Sequence, residues 1–327
     1  MTVGTPTKRN SRWDDAPVRD KHGRPKIAAL TDRDIEGVLR PLGRHRYLPV
    51  DYLHAFAGGS SDYLVNRLNL LSRRPNLYVR RPQQQRGSAA ANHRRLIYEL
   101  TEKGAGILQQ RDVPYQRGRV SSNFAHELMM CQIMASFELG VQEPGVRLIV
   151  WREILNSASL PDRTRGLPKP YAIPVNMTID SQSIETQIVA DAEPFGVQVA
   201  DGSQRYYYFC PGIEADCGTE PIDTSDFVRS SIYKKFVLYL AIIEQSIYRS
   251  HFGFPNFYVP FITTNAMRLT SMMRLLHRVT GGTGSMNILF KTFPIFTSHE
   301  PPPPPSGHML TQDWQRVGHP PFNFLTS

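Results

Sequence analysis

The sequence predicts an α/β (α+β) protein of two domains. Length is the first reason: 327 residues is about twice a typical domain. With 40% hydrophobic and 20% charged residues, the chain can build a sizeable core without staples. Charge is the second. Residues 1–120 hold 23 Lys+Arg against 11 Asp+Glu, or +12, whereas the remainder holds 15 against 18, or −3. Periodicity is the third: helices and one hairpin up to about residue 112, then strands mixed with helices. A basic first part beside a near-neutral remainder suggests a polyanion partner for the first part, with nucleic acid the leading choice.

Several classes are set aside. Apolar runs such as Phe236–Ile243 stop at about eight residues, short of the ~20 that a membrane helix needs, so no membrane partner is expected. The opening MTVGTPTKRNSRWDD has no apolar core of a secretory signal. Cys131, Cys210 and Cys217 are too few and scattered for a disulfide framework or a closed zinc site. A cytoplasmic location is therefore expected.

Residues 1–29 lack periodicity and read as a flexible basic arm. Thr31 and Asp32 are cap types before Ile35, Val38, Leu39 and Leu42 at helical spacing. A second helix fits Pro49–Ala57, stopped by Gly58-Gly59. Ser60 and Ser61 can cap a third, with Leu64, Leu68 and Leu71 inward. Leu77–Val79 and Leu96–Leu100 make a hairpin around a polar loop, and Thr101–Gly104 starts another helix. Helices followed by a hairpin give the order of a winged helix-turn-helix over 30–112. The segment YELTEKG, Tyr98–Gly104, resembles the wing end of MarR- and PadR-type regulators.

In that arrangement the third helix enters the major groove of double-stranded DNA and the wing touches the backbone. Ser60, Ser61, Asp62, Tyr63, Asn66 and Arg67 fall on its outer face, and Arg73 and Arg74 at its end. The wing carries Arg80, Arg81, Arg86, His93, Arg94 and Arg95, suited to phosphates. Arg67 and Asn66 are the base-edge candidates, for guanine and adenine respectively. The plain alternative is a solvated charged surface.

Residues 113–122 read as a linker, and Asn123–Leu139 as a helix with an apolar stripe. Val146–Trp151 reads as a strand, followed by a loop-like region to Pro174. Strands are expected at Ile184–Ala190, Phe195–Val199 and Tyr206–Ile213, and the longest helix at Ser230–Tyr248. Phe257–Thr263, Met267–Val279 and Asn287–Phe293 complete a domain over 123–298 with a mixed central sheet. From His299 to Ser327, five consecutive prolines and no packing pattern suggest an extended, exposed tail.

Asp191 after one strand, Glu214 and Asp216 after another, and Lys234-Lys235 on the next helix resemble the PD-(D/E)xK nuclease site. The second domain is then restriction-endonuclease-like. The resemblance implies Mg²⁺ held by Asp191 and Glu214, with Glu127 on the preceding helix, beside His126, as a further ligand. Asp216 stands where that pattern has its lysine, which makes Lys235 the substitute and Lys234 the lesser choice. The plain alternative is turn carboxylates and a solvent-facing lysine.

Glu214, Asp216, Gly218, Thr219 and Glu220 followed by Lys235, Phe236 and Tyr239 resemble the E-x-D-x-G-T-E and K-hydrophobic-x-x-Y segments of the replication-relaxation family. Ala190 replaces that family's usual proline before Asp191. The resemblance implies a DNA-binding role in replication, mobilisation or transcriptional control of plasmids and phages. Three functions stay open: a DNA-binding regulator; a Mg²⁺-dependent endonuclease using Asp191, Glu214, Asp216 and Lys235; and a non-catalytic scaffold docking replication or transfer proteins. The Met-rich helices Asn123–Leu139 and Met267–Val279 offer faces for a homodimer. Gly281–Gly284 lacks the lysine of a phosphate-binding loop, and Tyr206–Phe209 reads as a hairpin strand rather than a base-stacking platform.

Overall fold

In a computed structural model that describes residues 16–86, 95–111, 113, 123–142, 144–179, 182–224, 230–294 and 303–326, the chain divides into two units, Met1–Ala135 and Ser136–Ser327. The architecture is mixed α/β, with small separate sheets and no barrel among the described residues.

In the first unit, Thr31 and Asp34 cap each other: Asp34 Oδ2 accepts from the Thr31 amide at 2.7 Å, and Thr31 Oγ1 from the Asp34 amide at 3.2 Å. Helix α1 then runs through Asp32–Asp34, a π-helical segment Ile35–Leu39, and Arg40–His45. Strand β1 (Leu48–Pro49), helix α2 (Val50–Ala57) and helix α3 (Ser61–Leu71) follow. Ser60 Oγ accepts from the Tyr63 amide at 3.3 Å, and Leu64, Leu68 and Leu71 are buried as their spacing requires. β2 (Val79–Arg80), α4 (Gln83–Arg86), β3 (Ile97–Leu100) and α5 (Glu102–Gln109) complete the pattern. β3 lies between β1 and β2, antiparallel to both.

The YELTEKG segment has a packing reason. Thr101 caps α5 through the Gly104 amide at 3.2 Å. A Cβ on Gly104 would stand 2.1 Å from the Tyr78 carbonyl oxygen, so this approach requires glycine. Lys103 lies over the Tyr78 ring at 4.4 Å and donates to the Pro75 carbonyl at 3.1 Å.

The arm is less loose than its composition suggests. Residues 1–15 lie outside the described residues, but Arg19 and Pro25 bridge across a turn, and the Ala28 amide donates to Asn76 Oδ1 at 2.8 Å. Of the expected linker, only Val113 is described. Helix α6 (Phe124–Gly140) contains the boundary between the units.

The second unit opens with β4 (Val146–Ile149). The region expected as loop instead forms α7 (Trp151–Leu155), α8 (Asp162–Arg165) and the start of β5 (Ile173–Ile179). Among the described residues β5 pairs only with β6 (Gln182–Ile188), and in a two-stranded ribbon the missing N–H of Pro174 is tolerated. β7 (Phe195–Asp201) and β8 (Gln204–Cys210) form a hairpin, with β4 antiparallel on the other side of β7. β9 (Glu214–Asp216), β10 (Val259–Thr263) and β11 (Ile288–Thr292) make a parallel sheet with β10 central. The expected mixed central sheet is thus divided among three smaller ones, because ladder pairing is a long-range choice that strand spacing does not encode.

The expected helix at Ser230–Tyr248 is two helices, α9 (Ile232–Glu244) and α10 (Ile247–Phe252), broken where Ser246 adopts φ 52°. α11 (Ala266–Val279) joins β10 to β11. Phe236, Tyr239, Phe261, Leu269, Met272 and Phe290 form the centre of this unit's core.

The tail overturns the expectation of an exposed segment over its described part, 303–326. Helix α12 (His308–Thr311) is followed by Trp314, which is 0% exposed. Trp314 stacks on Phe137 at 6.2 Å and meets Phe324 edge-on at 6.1 Å. Gln315 exchanges backbone hydrogen bonds with Phe290 of β11, each at 2.9 Å. Lys291 Nζ donates to the carbonyls of His308 and Gln312 at 2.9 and 2.8 Å. Three aromatics spaced along a proline-rich stretch carry no helical or strand period, so sequence patterning missed them. Trp314→Ala is expected to cost about 3–5 kcal/mol, read as a lower urea midpoint. A change within about 0.5 kcal/mol, as for a surface residue, would contradict this packing.

Candidate functional site

β9 carries two buried acidic side chains on one face, since positions two apart on a strand point the same way. Glu214 and Asp216 are 2% and 4% exposed. Buried carboxylates need partners, and each finds a cation on a different helix. Lys235, in the first turns of α9, places Nζ 2.8 Å from Glu214 Oε2 and 3.0 Å from Glu220 Oε2. One turn further along α9, the Tyr239 hydroxyl donates to Glu214 Oε1 at 2.5 Å. Asp216 is gripped by Arg268 of α11, whose Nη2 donates to Oδ1 at 2.8 Å while Nε donates to Oδ2. Thr263 of β10 adds a hydroxyl donor to Asp216 Oδ2 at 2.9 Å, and the Gly218 amide reaches Oδ1 at 3.1 Å. Gly218 has φ 86°, in the left-handed region that favours glycine.

Asp191 joins from the segment before β7. Its amide donates to the Ile213 carbonyl at 2.9 Å, and its Oδ2 accepts from the Ala215 amide at 2.9 Å. Unlike Glu214, it is exposed. The structure therefore brings Asp191, Glu214 and Lys235 into one electrostatic cluster. Burial pushes the Glu214 carboxyl up to about 7, with Asp191 adding to the rise and Lys235 opposing it. Burial works against the Lys235 charge, yet Glu214, Asp191 and Glu220 together hold its affinity for the proton above the ordinary lysine value.

Glu127, the further acidic candidate, belongs to the first unit and pairs there with Arg46. Lys234 adjoins Lys235 on α9, and its amide donates to Ser231 Oγ in the helix cap. As arranged, the acidic residues do not fit a divalent ion. Lys235 takes the place between Glu214 and Glu220, Arg268 closes Asp216, and no metal-holding group of three His, Cys, Asp or Glu occurs among the described residues. The nuclease resemblance picks out Asp191, Glu214, Asp216 and Lys235. It missed the roles of Arg268 and Thr263, and the contact of Tyr239 with Glu214. Arg268 carried no signal, being 52 residues from its partner, whereas Tyr239 lies one helical turn after Lys235.

In the first unit, Ser61, Tyr63 and Asn66 are exposed on α3. Arg67 is not among them: Nε and Nη2 donate to Asp34 Oδ1 and Oδ2 at 2.8 and 2.6 Å, and a further bond reaches the Ala29 carbonyl. Burial and this bidentate pairing make Arg67 a brace for α1 and the arm. Arg73 is half-buried and Arg74 exposed at the end of α3. Arg80 pairs with Glu99 across the hairpin at 2.8 Å, Arg95 pairs with Asp51, and half-buried Arg81 hydrogen-bonds the Tyr98 side chain. Arg86 closes α4, and Arg94 and His93 lie outside the described residues.

The family model for replication-relaxation matches residues 39–256, two-thirds of the chain. The chain belongs to the replication-relaxation family. Membership suggests a role in replication or relaxation of mobile elements. No curated protein and no solved structure matches the chain. No helix among the described residues is long and apolar enough to cross a membrane. The matched region includes both the α3 face and the β9–α9 cluster whose residues carried the family resemblance.

Glu214 gives the cluster a pH signature. A carboxyl raised from 4.5 to about 7 in the folded state stabilises the fold most below about pH 4.5, and that contribution disappears as pH rises through about 7. Glu214→Gln removes it. In urea titrations, the stability of wild type relative to Glu214→Gln is expected to be greater at pH 5 than at pH 8. An equal difference at both pH values would contradict the raised carboxyl.

Proposed function

We propose that the protein binds double-stranded DNA through a winged helix in its first unit, in the replication, mobilisation or transcriptional control of a mobile element. The observation that carries this reading is the outward face of α3. Its N-terminal turn is capped by Ser60, presents Ser61, Tyr63 and Asn66, and is followed by an arginine-bearing hairpin. The order helix, strand, helix, helix, strand, short helix, strand, helix around a three-stranded antiparallel sheet fits that architecture. The excess of positive charge in residues 1–120 favours the phosphate backbone. Asn66 is the base-reading residue of this account, because Arg67 is committed to Asp34.

The second reading is a Mg²⁺-dependent endonuclease of the PD-(D/E)xK type. The meeting of Asp191, Glu214 and Lys235 around β9 favours it, on a restriction-endonuclease-like second unit. The internal pairing of these charges favours the first reading, in which this unit does not cleave.

Fluorescence anisotropy tests the DNA-binding reading on a duplex that the wild-type protein selects from a random pool. Asn66→Ala is expected to weaken binding by about 1–3 kcal/mol, the worth of a bidentate base contact. Log affinity should fall steeply with log salt, by about 0.9 for each phosphate neutralised. Duplex affinity indifferent both to salt and to Asn66→Ala would exclude this mode of binding.

A further inference from the structure

The segment before α1 carries a second cationic surface of the first unit. Between Ala16 and Leu30, Arg19, Lys21, His22, Arg24 and Lys26 are all exposed, and Asp20 is the one acidic residue. Composition alone gives a loose charged strand, but hydrogen bonds fix this one. The Lys26 amide donates to the Val18 carbonyl at 2.7 Å, and the Asp20 amide to the Arg24 carbonyl at 2.8 Å. Asp20 Oδ1 accepts from the His22 and Arg24 amides at 2.8 and 2.9 Å, so this carboxylate is turned to the chain's own backbone. Gly23 supplies the left-handed residue at φ 75°, and Arg19 Nη1 donates to its carbonyl at 2.6 Å.

The base of the turn is tied to the end of α3. Asn76, 1% exposed, accepts from the Ala28 amide through Oδ1. Its Nδ2 donates to the carbonyls of Lys26 and of Leu70 in α3, at 3.1 and 3.0 Å. Arg67 of α3 holds the Ala29 carbonyl. A short hairpin that buries no apolar face gains little from its own contacts, so its order needs another reason. What the turn holds in place is a set of cations.

Those cations differ from the ones expected on α3 and the wing. Arg67 pairs with Asp34, Arg80 with Glu99 and Arg95 with Asp51. Lys21, Arg24 and Lys26 form no ion pair among the described residues. Cations without acidic partners, anchored at the C-terminal end of α3, suit the phosphates that border the groove α3 enters. Resting on the duplex-binding reading above, we propose that the turn Val18–Lys26 is a second DNA contact. It lays Lys21, Arg24 and Lys26 on phosphates flanking the site read by α3. This contact positions the protein and carries no base preference of its own.

The test uses full-length protein and the selected duplex set in longer flanks, with anisotropy over a salt series and hydroxyl-radical footprinting. Lys21→Ala/Arg24→Ala/Lys26→Ala leaves every hydrogen bond of the frame in place, since these residues hold it through backbone atoms. It is expected to lower the slope of log affinity against log salt by about 2 to 3, at about 0.9 for each phosphate released. Protection should retract from one flank while the centre stays covered. Asn66→Ala should weaken binding with the slope unchanged. Gly23→Val alters no charge and its Cβ meets nothing, but it disfavours the left-handed turn, and it should retract the same flank. A slope and footprint unchanged in the triple variant overturn the second contact and leave the duplex reading standing. An unchanged footprint in Gly23→Val overturns the need for a fixed turn. Wild type that binds no duplex overturns the reading on which the proposal rests.

Discussion

Two carboxylates buried on one face of a three-residue strand are the constraint around which the second unit is arranged. An unpaired buried carboxylate costs several kcal/mol, so Glu214 and Asp216 require cations at fixed positions. Lys235 from α9 and Arg268 from α11 meet that requirement, and both helices are thereby tied to β9. Tyr239 and Thr263 complete the hydrogen bonding from the same helix and from the neighbouring strand. The aromatic core of Phe236, Phe261 and Phe290 closes against this polar layer.

The spacing of the family segments follows from the same geometry. Glu214 and Asp216 share a strand face, Gly218 makes the left-handed turn that returns its amide to Asp216, and Glu220 comes back to Lys235. Lys235 and Tyr239, one helical turn apart, both reach Glu214. A set of residues that resembles a metal-dependent nuclease site is, in this arrangement, neutralised by the chain's own cations. Asp191, held by the Ala215 amide and exposed to solvent, adds its charge to the same cluster and helps hold the proton on Lys235.

Features governed by local rules were legible in the sequence. The Thr31, Ser60 and Thr101 caps, and the inward Leu64, Leu68 and Leu71, depend on neighbours within a few residues. The parts that were not legible depend on distant partners. Arg67 looked like a base reader because helical spacing put it outward, but Asp34, 33 residues earlier, claims its guanidinium. Trp314 looked unpacked because its neighbours are prolines and polar residues, while its ring contacts come from Phe137 and Phe324. The single mixed sheet failed for the same reason: strand pairing is chosen by the whole fold.

The function proposed for this protein is DNA binding without cleavage. Supercoiled plasmid incubated with purified protein in Mg²⁺, in Mn²⁺ and in EDTA tests this most directly, with an Asp191→Ala/Glu214→Ala variant alongside. Intact supercoiled plasmid is expected under all conditions, retarded in a gel at low salt and released at high salt. Nicked or linear product that needs metal and is absent with the variant would contradict it, and would establish the β9 cluster as a nuclease centre.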